Sequence, residues 1–438
     1  MSLNISNVDV NFGPNINGSL VYIPVKLESN PGIPNNFQIV PRIIITNRNS
    51  SDITLSEIQF QIMNLASDTF TYNDTIPSGQ PAIKSLILPT GSMKIRKLSI
   101  YPPLSCTIDL KFTEFPQSKQ VNVPLVPFTG FTFWGKTRDL DFDGVDGEAW
   151  VVHWGSAHDN IQAFAYDCGV VKRVPQPNGT SSKWQESTNN PANNDDWFAW
   201  DKPVYSMTDG IVEVVRNDVG DNNTPEAPNP SDLHPGGTSL ANEVIIRTPE
   251  NLLIQYSHFR KGSILENIRV DAQIKAGQQI GNVGNSGRSS NPHIHVHIVQ
   301  RTEIQLSIKD MIIKAGKGIP ASIKADFFGK TKEAKISILL GQGLLPNYYW
   351  PFPLSFQNCF IADRRNDESL SESNWRRLDG SGPTFIDNET IIWPNSIRPR
   401  LCISLKKHAL NNSLSLPVSV RNDMSNLQVI SLSTILCS

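Results

Sequence analysis

The sequence predicts a mostly β protein, and three patterns lead to this fold class. Short alternating or apolar runs, such as 20–25 and 39–45, are separated by clusters of Asn, Ser, Gly and Pro. Residues 202–205 and 208–212 read as strand, turn and strand, with Asp-Gly at the turn. Near the carboxyl terminus, 414–420 alternates between apolar and polar residues, as half-buried strands do.

The length of 438 residues is enough for about three domains. We expect a β-sandwich at 1–130, immunoglobulin-like in character, whose role is positioning, binding or purely structural. A second domain at 131–335 holds the motifs described below, and a small β-rich region of unknown role follows at 336–438. Two insertions rich in Asn, Pro and Gly, 175–196 and 218–237, interrupt the second domain. Trp184 in the first insertion, together with Trp197 and Trp200 just after it, favours ordered packing over disorder.

Composition argues against several classes of protein. Lys and Arg total 39 against 41 Asp and Glu, so no broad nucleic-acid surface is expected. No apolar stretch reaches about 18 residues, so we expect no membrane span. The amino terminus shows no basic and apolar regions of a signal peptide. A Gly-x-Ser-x-Gly elbow, a Walker-type phosphate loop and a His-Glu-x-x-His zinc helix are also absent from the sequence.

The densest chemical signal is the segment 291–297, which contains three of the eight histidines, His293, His295 and His297. Side chains of a strand repeat with a period of two, so all three are expected on one face. Imidazole is the commonest protein ligand for metals such as zinc. Three histidines in register therefore predict one wall of a metal site, in preference to the solvated face of an edge strand.

The segments around these histidines form an ordered series of short motifs. In chain order they are the Pro-Val…Asp-Gly-x-Val hairpin, Asn242–Ile246, Tyr256-x-His258, Gly277-Gln278-x-Ile280-Gly281, Gly284-Asn285-Ser286-Gly287 and Pro292-His293-x-His295. In this order and spacing, roughly 150–320 resembles the lysostaphin-like, LytM-type zinc metallopeptidases, a family of peptidoglycan endopeptidases with a duplicated hybrid motif fold. The resemblance implies an antiparallel β catalytic domain.

The resemblance also implies roles for individual residues. Pro292-His293-x-His295 aligns with the family's Pro-His-x-His, which makes His295 a zinc ligand. The catalytic histidines of the family then fall on His293 and His258. Tyr256 lies two residues before His258, and we expect it to share the same strand face and to assist.

The two remaining ligands of the family are a histidine and an aspartate, which many members place in a His-x-x-x-Asp motif. This chain lacks that spacing. It resembles a variant of the family in which the histidine lies further ahead of the aspartate, and on this basis we assign His158 and Asp167 as the two ligands. His153 is the rival for the first position. His297 stands where many relatives have an acidic residue. Either it orients a ligand through a hydrogen bond, or it is solvated and takes no part.

A further possibility is that the ligand register is 295 and 297 instead of 293 and 295, and the position of Pro292 argues against it. Two histidines and one aspartate leave the fourth position of zinc open for water, the arrangement of catalytic zinc sites. Zinc lowers the pKa of such a water, which then attacks a peptide carbonyl. His258 and His293 are expected to act as base and as oxyanion donor, in an order that stays open.

The resemblance thus implies Zn²⁺ as the cofactor and peptide cross-links of peptidoglycan as the substrate. Hydrolysis of another protein or peptide is one alternative, and a non-catalytic envelope regulator is the other. The cell envelope or the exterior is the location expected of the family. The sequence leaves the oligomeric state open.

The five cysteines are far apart, odd in number and free of Cys-x-x-Cys spacing, which argues against a zinc ribbon or a redox motif. Cys168 directly follows the predicted ligand Asp167. We expect it to be a small buried apolar side chain that points away from the metal, because neighbours in a strand point to opposite faces.

Overall fold

The structure is a computed structural model, and it describes the following part of the chain. The described residues are 3–13, 15–25, 36–39, 42–62, 66–78, 96–97, 105–127, 130–140, 147–153, 162, 165–175, 182–222, 233–234, 238–239, 241–301, 349–352, 354, 356–363, 376–378 and 390–394. The region 414–420, predicted as a strand, lies outside them.

The described residues of the amino-terminal region form ten strands and one short 3-10 helix. The strands are β1 (Val8–Gly13), β2 (Asn15–Ile16), β3 (Ser19–Val25), β4 (Asn36–Ile39), β5 (Arg42–Asn47), β6 (Ile53–Ile62), β7 (Ala66–Ile76), β8 (Arg96–Lys97), β9 (Ser105–Phe112) and β10 (Lys119–Pro127), and the 3-10 helix is Ile5–Asn7. The predicted run 20–25 lies within β3, whereas 39–45 is divided between β4 and β5.

These strands form an eight-stranded sheet of order β7-β6-β9-β10-β3-β4-β8 with β2 beside β3, and a separate pair of β1 and β5. Buried and partly exposed positions alternate along β9, whose apolar side chains Ile108 and Leu110 are fully buried. Such alternation is typical of a sheet with one face against a core. The division into a β-sandwich at 1–130 and two later domains stays a prediction.

The rest of the described chain is again made of strands, with two short 3-10 helices. The strands are β11 (Phe131–Thr132), β12 (Glu148–His153), β13 (Tyr166–Pro175), β14 (Ser182–Gln185), β15 (Pro203–Tyr205), β16 (Gly210–Arg216), β17 (Leu233–His234), β18 (Thr238–Ser239), β19 (Glu243–Arg247), β20 (Leu252–Ser257), β21 (Gln273–Ile274), β22 (Gln279–Asn282), β23 (Ile294–Arg301), β24 (Tyr349–Phe352), β25 (Phe356–Gln357), β26 (Cys359–Asp363), β27 (Arg376–Leu378) and β28 (Thr390–Trp393), and the 3-10 helices are Thr137–Asp139 and Asn194–Asp196.

Most of these strands join one twelve-stranded sheet. Its order is β21-β16-β19-β20-β23-β13-β12-β28-β26-β27, with β14 beside β13 and β24 beside β23. The pairings within it are antiparallel. The predicted fold class, mostly β with an antiparallel sheet in the region of the motifs, is confirmed. Strands β24 and β26 to β28 come from the region 336–438, and they are hydrogen-bonded into this same sheet.

The centre of the sheet is buried on both faces. Every residue of β20 is buried, and only the last residue of the neighbouring β19 is partly exposed. The apolar members of β20, such as Leu252 and Ile254, belong to a core that β12, β13 and β23 share. Among the buried side chains of these strands are several polar ones, including Glu243, Gln255 and Ser257. Buried polar groups need hydrogen-bond partners, and in this sheet they cluster around the histidines.

The described part of the first insertion is ordered. Strand β14 pairs with β13, and Trp184 within it is only 6% exposed. The 3-10 helix that follows starts at a capping box, in which the side chains of Asn193 and Asp196 accept hydrogen bonds from each other's backbone. The packing predicted from the tryptophans of this insertion is therefore confirmed for 182–196.

Three cysteines lie in the described part of the chain, namely Cys106, Cys168 and Cys359, and all three are free and buried. Cys168 has no exposed surface, and burial raises the pKa of its thiol well above the ordinary value. The prediction of a small buried side chain at Cys168 is confirmed. Among the described residues, no helix has the length and apolar character needed to cross a membrane.

Candidate metal and catalytic site

Neighbouring strands bring several predicted site residues into one row. β12 and β13 pair His153 with Asp167, and β13 and β23 pair Asp167 with His295. On the other side of β23, strand β20 pairs Ser257 with His295. Residues that pair directly across strands point to the same face of a sheet. The four side chains therefore lie side by side on one face.

His295 lies between Asp167 and His297. Its Nδ1 is 2.9 Å from Oδ1 of Asp167, and its Nε2 is 3.0 Å from Nδ1 of His297. His297 is only 1% exposed, so the hypothesis of a solvated His297 is wrong. The position of His297, on the side of the His295 ring away from Asp167, agrees with the hypothesis that it orients this ring.

His293 completes the group on the side of Asp167. Its Nε2 is 3.6 Å from Oδ1 of Asp167, and its Nδ1 is 2.7 Å from the backbone oxygen of Asn291. A carbonyl oxygen only accepts hydrogen bonds, so Nδ1 of His293 carries the proton and donates it. The other nitrogen, Nε2, is then the lone-pair atom and lies beside the carboxylate.

His258 is placed by an unusual backbone conformation. It directly follows β20 and has φ of 74°, in the left-handed region that few residues other than glycine adopt. Its ring centroid is 4.7 Å from that of His293 and 6.0 Å from that of His295. Strained backbone of this kind is characteristic of functional sites, because the surrounding structure has to hold it in place.

The protonation of His258 follows from its surroundings. Nδ1 lies 2.7 Å from the backbone oxygen of Ser286, which makes Nδ1 the donor and leaves Nε2 as the acceptor. Burial lowers the pKa of His258 to about 3, and His293 and His295 act in the same direction. His258 is therefore a neutral imidazole at neutral pH, which is the form that accepts a proton.

The left-handed φ of His258 also explains why Tyr256 lies on the other face of the sheet. Strand alternation ends at Ser257, so the expectation that Tyr256 and His258 share a face is wrong. Tyr256 pairs with Val296 and is fully buried in the core. Its hydroxyl accepts the backbone N–H of Met207 at 2.9 Å, on the opposite face from His295.

The glycine-rich segment before the histidines holds the chain of His258 at close range. The N–H of Gly284 donates to the carbonyl of His258 at 2.9 Å. A Cβ on Gly284 would lie 2.1 Å from the backbone nitrogen of Arg260. Only glycine permits backbones to approach so closely, as expected for this segment from the sequence.

We expect Gly284→Ala to lower the free energy of unfolding by about 3 kcal/mol and to displace His258, because backbone atoms have to move apart. Gly262→Ala is the matched control. Gly262 has φ of 72° but nothing near its Cβ position, so alanine there costs only about 1 kcal/mol of conformational strain. Urea unfolding of both variants measures the difference. Equal destabilisation would contradict the close approach seen at Gly284.

The upstream ligand is not placed by the structure, since His158 lies outside the described residues. Its rival His153 is described. His153 pairs with Asp167 across β12 and β13, and its Nε2 lies 3.1 Å from Oε1 of Glu186. The assignment of His158 over His153 stays a prediction.

The donors that are described fit part of a zinc site. Asp167 Oδ1 and His295 Nδ1, at 2.9 Å from each other, are the oxygen and nitrogen donors that zinc takes. In the part of the chain that the structure describes, no group of three His, Cys, Asp or Glu side chains is arranged to hold a metal ion. The set of His158, Asp167 and His295 has only its last two members there.

Several residues of the site were not found from the sequence. Gln255 donates from Nε2 to Oε2 of Glu243 at 2.7 Å and to Oγ of Ser257 at 2.9 Å. Polar residues in otherwise apolar strands were the available signal: Glu243 begins the run of β19, and Gln255 and Ser257 interrupt that of β20. The pairing of these strands with β23 was not evident from the sequence.

Glu243 predicts a pH dependence of stability. Burial raises its pKa from 4.5 to about 7, although Arg216 acts in the opposite direction. Because the folded-state pKa is raised, the contribution of the protonated carboxyl is fully present below pH about 4.5 and is lost as the pH rises through about 7. The full change is about 3 kcal/mol.

We expect Glu243→Gln to remove this component. Between pH about 4.5 and about 8, the free energy of unfolding of the variant should then fall by about 3 kcal/mol less than that of the wild type. Urea titrations at several pH values measure it, with the exposed Glu250→Gln as control. The same pH dependence in wild type and in Glu243→Gln would rule out this origin.

A cavity opens beside the histidines. It has a volume of about 410 Å³ and is lined mainly by the first insertion, including Trp184 and Glu186, and by Trp197 directly after it. Asn291 also lines it, and the backbone oxygen of Asn291 accepts the hydrogen bond from His293. The cavity therefore shares a wall with the site.

Part of the chain is similar to known proteins. Residues 196–306 match Peptidase family M23. The chain is 29% identical over 164 residues to the peptidoglycan DD-endopeptidase ShyA of Vibrio cholerae, which covers 37% of this chain and 29% of ShyA. The chain thus spans less than a third of the length of that relative. His258, His293 and His295 lie inside the matched segment, whereas Asp167 precedes it.

Solved structures with similarity to the chain include three proteins described as M23 or LytM peptidases. The catalytic domain of the prophage-encoded M23 protein EnpA of Enterococcus faecalis is 20% identical, covering 34% of this chain and 85% of that one, with a TM-score of 0.17. A putative glycyl-glycine endopeptidase LytM of Ruminococcus gnavus is 14% identical, covering 41% of this chain and 56% of that one, with a TM-score of 0.19. A putative M23 peptidase of Pseudomonas aeruginosa is 10% identical, covering 55% of this chain and 82% of that one, with a TM-score of 0.20.

The family match and the ShyA relative confirm the resemblance found in the motifs. Residues 196–306 of this chain match Peptidase family M23, and this part of the chain is similar to LytM-type peptidases.

Proposed function

We propose that this protein is a zinc-dependent endopeptidase that hydrolyses peptide cross-links of peptidoglycan. The observation that carries the proposal is the convergence of Asp167, His295, His293 and His258, whose closest approaches are 2.9 and 3.6 Å at Oδ1 of Asp167. The name of ShyA, a peptidoglycan DD-endopeptidase, supports the choice of substrate.

His158, Asp167 and His295 are the residues proposed to hold the metal. Zinc bound by them would supply Lewis-acid activation of a water molecule and of the scissile carbonyl. Asp167 and His295 present their donor atoms to the same point, which favours them as the two described members of the set. His297 lies behind the ring of His295 and takes no ligand position in this proposal.

His258 and His293 would move protons. Both rings are held with the proton on Nδ1, by the carbonyls of Ser286 and Asn291, so both present an unprotonated Nε2. One Nε2 can take the proton of the attacking water and pass it to the leaving amine. The second ring also presents an unprotonated Nε2, which can accept a hydrogen bond from the attacking water and so orient it.

The cavity beside His293 is proposed to bind part of the substrate. Its aromatic and polar lining, with Trp197 half-buried, suits a peptide or an attached sugar, since an indole ring offers a flat apolar surface. The cavity lies next to the catalytic histidines without containing them. Groups bound there contribute to substrate affinity and not to the chemical step.

We expect Trp197→Ala to raise KM about tenfold with little change in kcat, because the indole contributes about 1.4 kcal/mol of substrate binding. Steady-state kinetics on a soluble cross-linked muropeptide measure the two constants. Trp200→Ala is the matched control, because Trp200 is three residues away and does not line the cavity. A fall in kcat at unchanged KM would place Trp197 in the chemical step and contradict this role.

Digestion of purified peptidoglycan by the full-length, zinc-loaded protein tests the function. New peptide amino termini, detected by mass spectrometry and lost on chelation, are the expected result. Intact peptidoglycan with zinc bound would overturn the substrate and favour hydrolysis of another protein or peptide. Intact peptidoglycan without bound zinc would overturn the enzyme and favour a non-catalytic regulator.

A further inference from the structure

We propose that Asn222 is a positioning residue, which holds the segment 285–291 in the conformation that orients the rings of His258 and His293. The inference rests on the proposed function, in that these two histidines are taken as the proton carriers. It also gives a role to the second insertion, 218–237, because Asn222 lies in its first part.

The segment 285–291 supplies the hydrogen-bond acceptors of both rings. The backbone oxygen of Ser286 lies 2.7 Å from Nδ1 of His258, and the backbone oxygen of Asn291 lies 2.7 Å from Nδ1 of His293. Each carbonyl keeps the proton of its ring on Nδ1 and so fixes the orientation of that ring. The two carbonyls are five residues apart, so the conformation of this one segment sets both rings.

The segment has no regular structure that would hold it in place. It lies between β22 and β23 and is part of neither strand. Gly287 within it has φ of 76°, in the left-handed region. Its conformation therefore depends on contacts from other parts of the chain.

Asn222 makes three of these contacts. Its Nδ2 donates to the backbone oxygen of Gly287 at 3.0 Å and to that of Ser289 at 2.8 Å. Its backbone N–H donates to the backbone oxygen of Asn285 at 3.0 Å. Asn222 thus binds the segment on both sides of Ser286, whose carbonyl holds His258.

The contacts continue from Ser289 to His293. Oγ of Ser289 donates to the backbone oxygen of Asn291 at 2.8 Å and lies 3.3 Å from Nδ1 of His293. The backbone oxygen of the same Ser289 is the closer acceptor of the Asn222 amide. An unbroken series of hydrogen bonds therefore joins Asn222 to the acceptor of His293 as well as to the surroundings of Ser286.

Asp221, the preceding residue, strengthens the same connection. Its Oδ1 accepts the backbone N–H of Asn285 at 2.8 Å, and its Oδ2 accepts that of Lys261 at 2.9 Å. Lys261 follows His258 by three residues. One carboxylate thus joins the chain that carries His258 to the segment that carries its acceptor.

The first insertion contributes Asn194 to this network. Nδ2 of Asn194 donates to the backbone oxygen of Asn222 at 3.0 Å, and Oδ1 of Asn194 accepts from Nδ2 of Asn285 at 2.9 Å. Both insertions therefore meet at the segment 285–291, which gives them a structural connection to the proton carriers.

The depth of Asn222 makes its hydrogen bonds difficult to replace. Asn222 is 1% exposed, Asn285 is fully buried and Ser289 is 3% exposed. A buried amide costs free energy unless it is hydrogen-bonded, and a buried carbonyl that loses its donor carries the same kind of cost. Loss of the Asn222 amide is therefore expected to move the backbone of the segment.

The test starts from Asn222→Asp in the full-length protein. Aspartate has the size of asparagine and keeps an oxygen, but it has no N–H group to donate to the two carbonyls. We expect kcat to fall about 10- to 100-fold while KM changes less than about threefold, because small displacements of catalytic groups act on the chemical step. Asn222→Ala removes the amide without adding charge and should act in the same direction. Kinetics on a soluble cross-linked muropeptide measure both constants.

Asn217 provides the matched control. Its Nδ2 donates to the backbone oxygen of Ile264 at 3.1 Å, and its Oδ1 accepts the backbone N–H of Ile264 at 3.2 Å. It also links its side chain to distant backbone, but at Ile264 and not at the segment 285–291. Asn217→Asp and Asn217→Ala should keep the kcat and KM of the wild type. An equal fall of kcat in both sets of variants would indicate general damage and overturn the inference.

A second readout observes the rings directly. In protein labelled with ¹⁵N-histidine, the nitrogen shifts report the tautomer of each imidazole, and His258→Asn and His293→Asn assign the signals. The wild type and the Asn217 variants should show one Nδ1–H tautomer at both positions, whereas the Asn222 variants should show a mixture at one or both. Circular dichroism verifies the fold of each variant.

Unchanged ring signals or an unchanged kcat in the Asn222 variants would overturn the inference. A raised KM at unchanged kcat would place Asn222 in substrate binding and overturn it as well. If the wild type failed to hydrolyse peptidoglycan, the proposed function would fail, while the ring signals would still decide whether Asn222 positions the two histidines.

Discussion

Replacement of His295 by alanine is expected to abolish zinc binding and to lower kcat/KM by about 10³-fold or more. The ring of His295 presents Nδ1 to the point where Oδ1 of Asp167 also lies, 2.9 Å away. Without it the metal would keep two of its three proposed protein ligands. Lewis-acid assistance is worth several kcal/mol, and each 1.36 kcal/mol corresponds to a factor of ten in rate. Metal analysis after dialysis and kinetics on cross-linked muropeptides measure both effects.

The same metal analysis decides the upstream ligand. His158→Ala is expected to lose zinc, whereas His153→Ala should retain it, because Nε2 of His153 is already 3.1 Å from Glu186. Loss of zinc in His153→Ala alone would transfer the ligand role to His153. Full metal occupancy in His295→Ala would show that the proposed register of ligands is wrong.

The second large effect is expected at His258, where substitution should leave zinc in place and remove turnover. Loss of a general base lowers kcat by about 10²- to 10⁴-fold. His258→Asn is the informative variant, because asparagine tolerates the left-handed backbone that His258 adopts at φ of 74°. The backbone is then preserved while the imidazole is lost. Alanine at this position would add conformational strain to the chemical change.

Bound zinc, the circular dichroism spectrum and kcat are measured together for His258→Asn. Normal zinc content with a kcat near that of the wild type would exclude His258 from catalysis and leave His293 as the only described proton carrier. Loss of zinc would instead give His258 a ligand role.

The motifs allowed a large part of the site to be predicted. His293, His295 and Asp167 do come together, and the alternation of 293, 295 and 297 does place these side chains next to one another. The mostly β fold was equally accessible, because short alternating runs and turn residues are local signals. The glycines of 277–287 were correctly expected at a close backbone approach, which is present at Gly284.

Tyr256 shows where local signals fail. The side chains of residues two apart on a strand normally lie on the same face of the sheet. Here the strand ends at Ser257, and His258 has a left-handed φ. That conformation depends on contacts with a distant segment, such as the hydrogen bond from Gly284 to the carbonyl of His258. No pattern within 252–258 reveals it.

The sequence by itself determined the fold class and the identity of the histidine-bearing strand, since strand period is a property of residues and their near neighbours. Only the tertiary structure decided which strands are adjacent. It brought Asp167 to His295 across 128 positions of the chain and set Gln255 opposite His297. It also selected the tautomers of His258 and His293 through the carbonyls of Ser286 and Asn291. Strand partners and hydrogen-bond partners are non-local, because they depend on how the whole sheet packs.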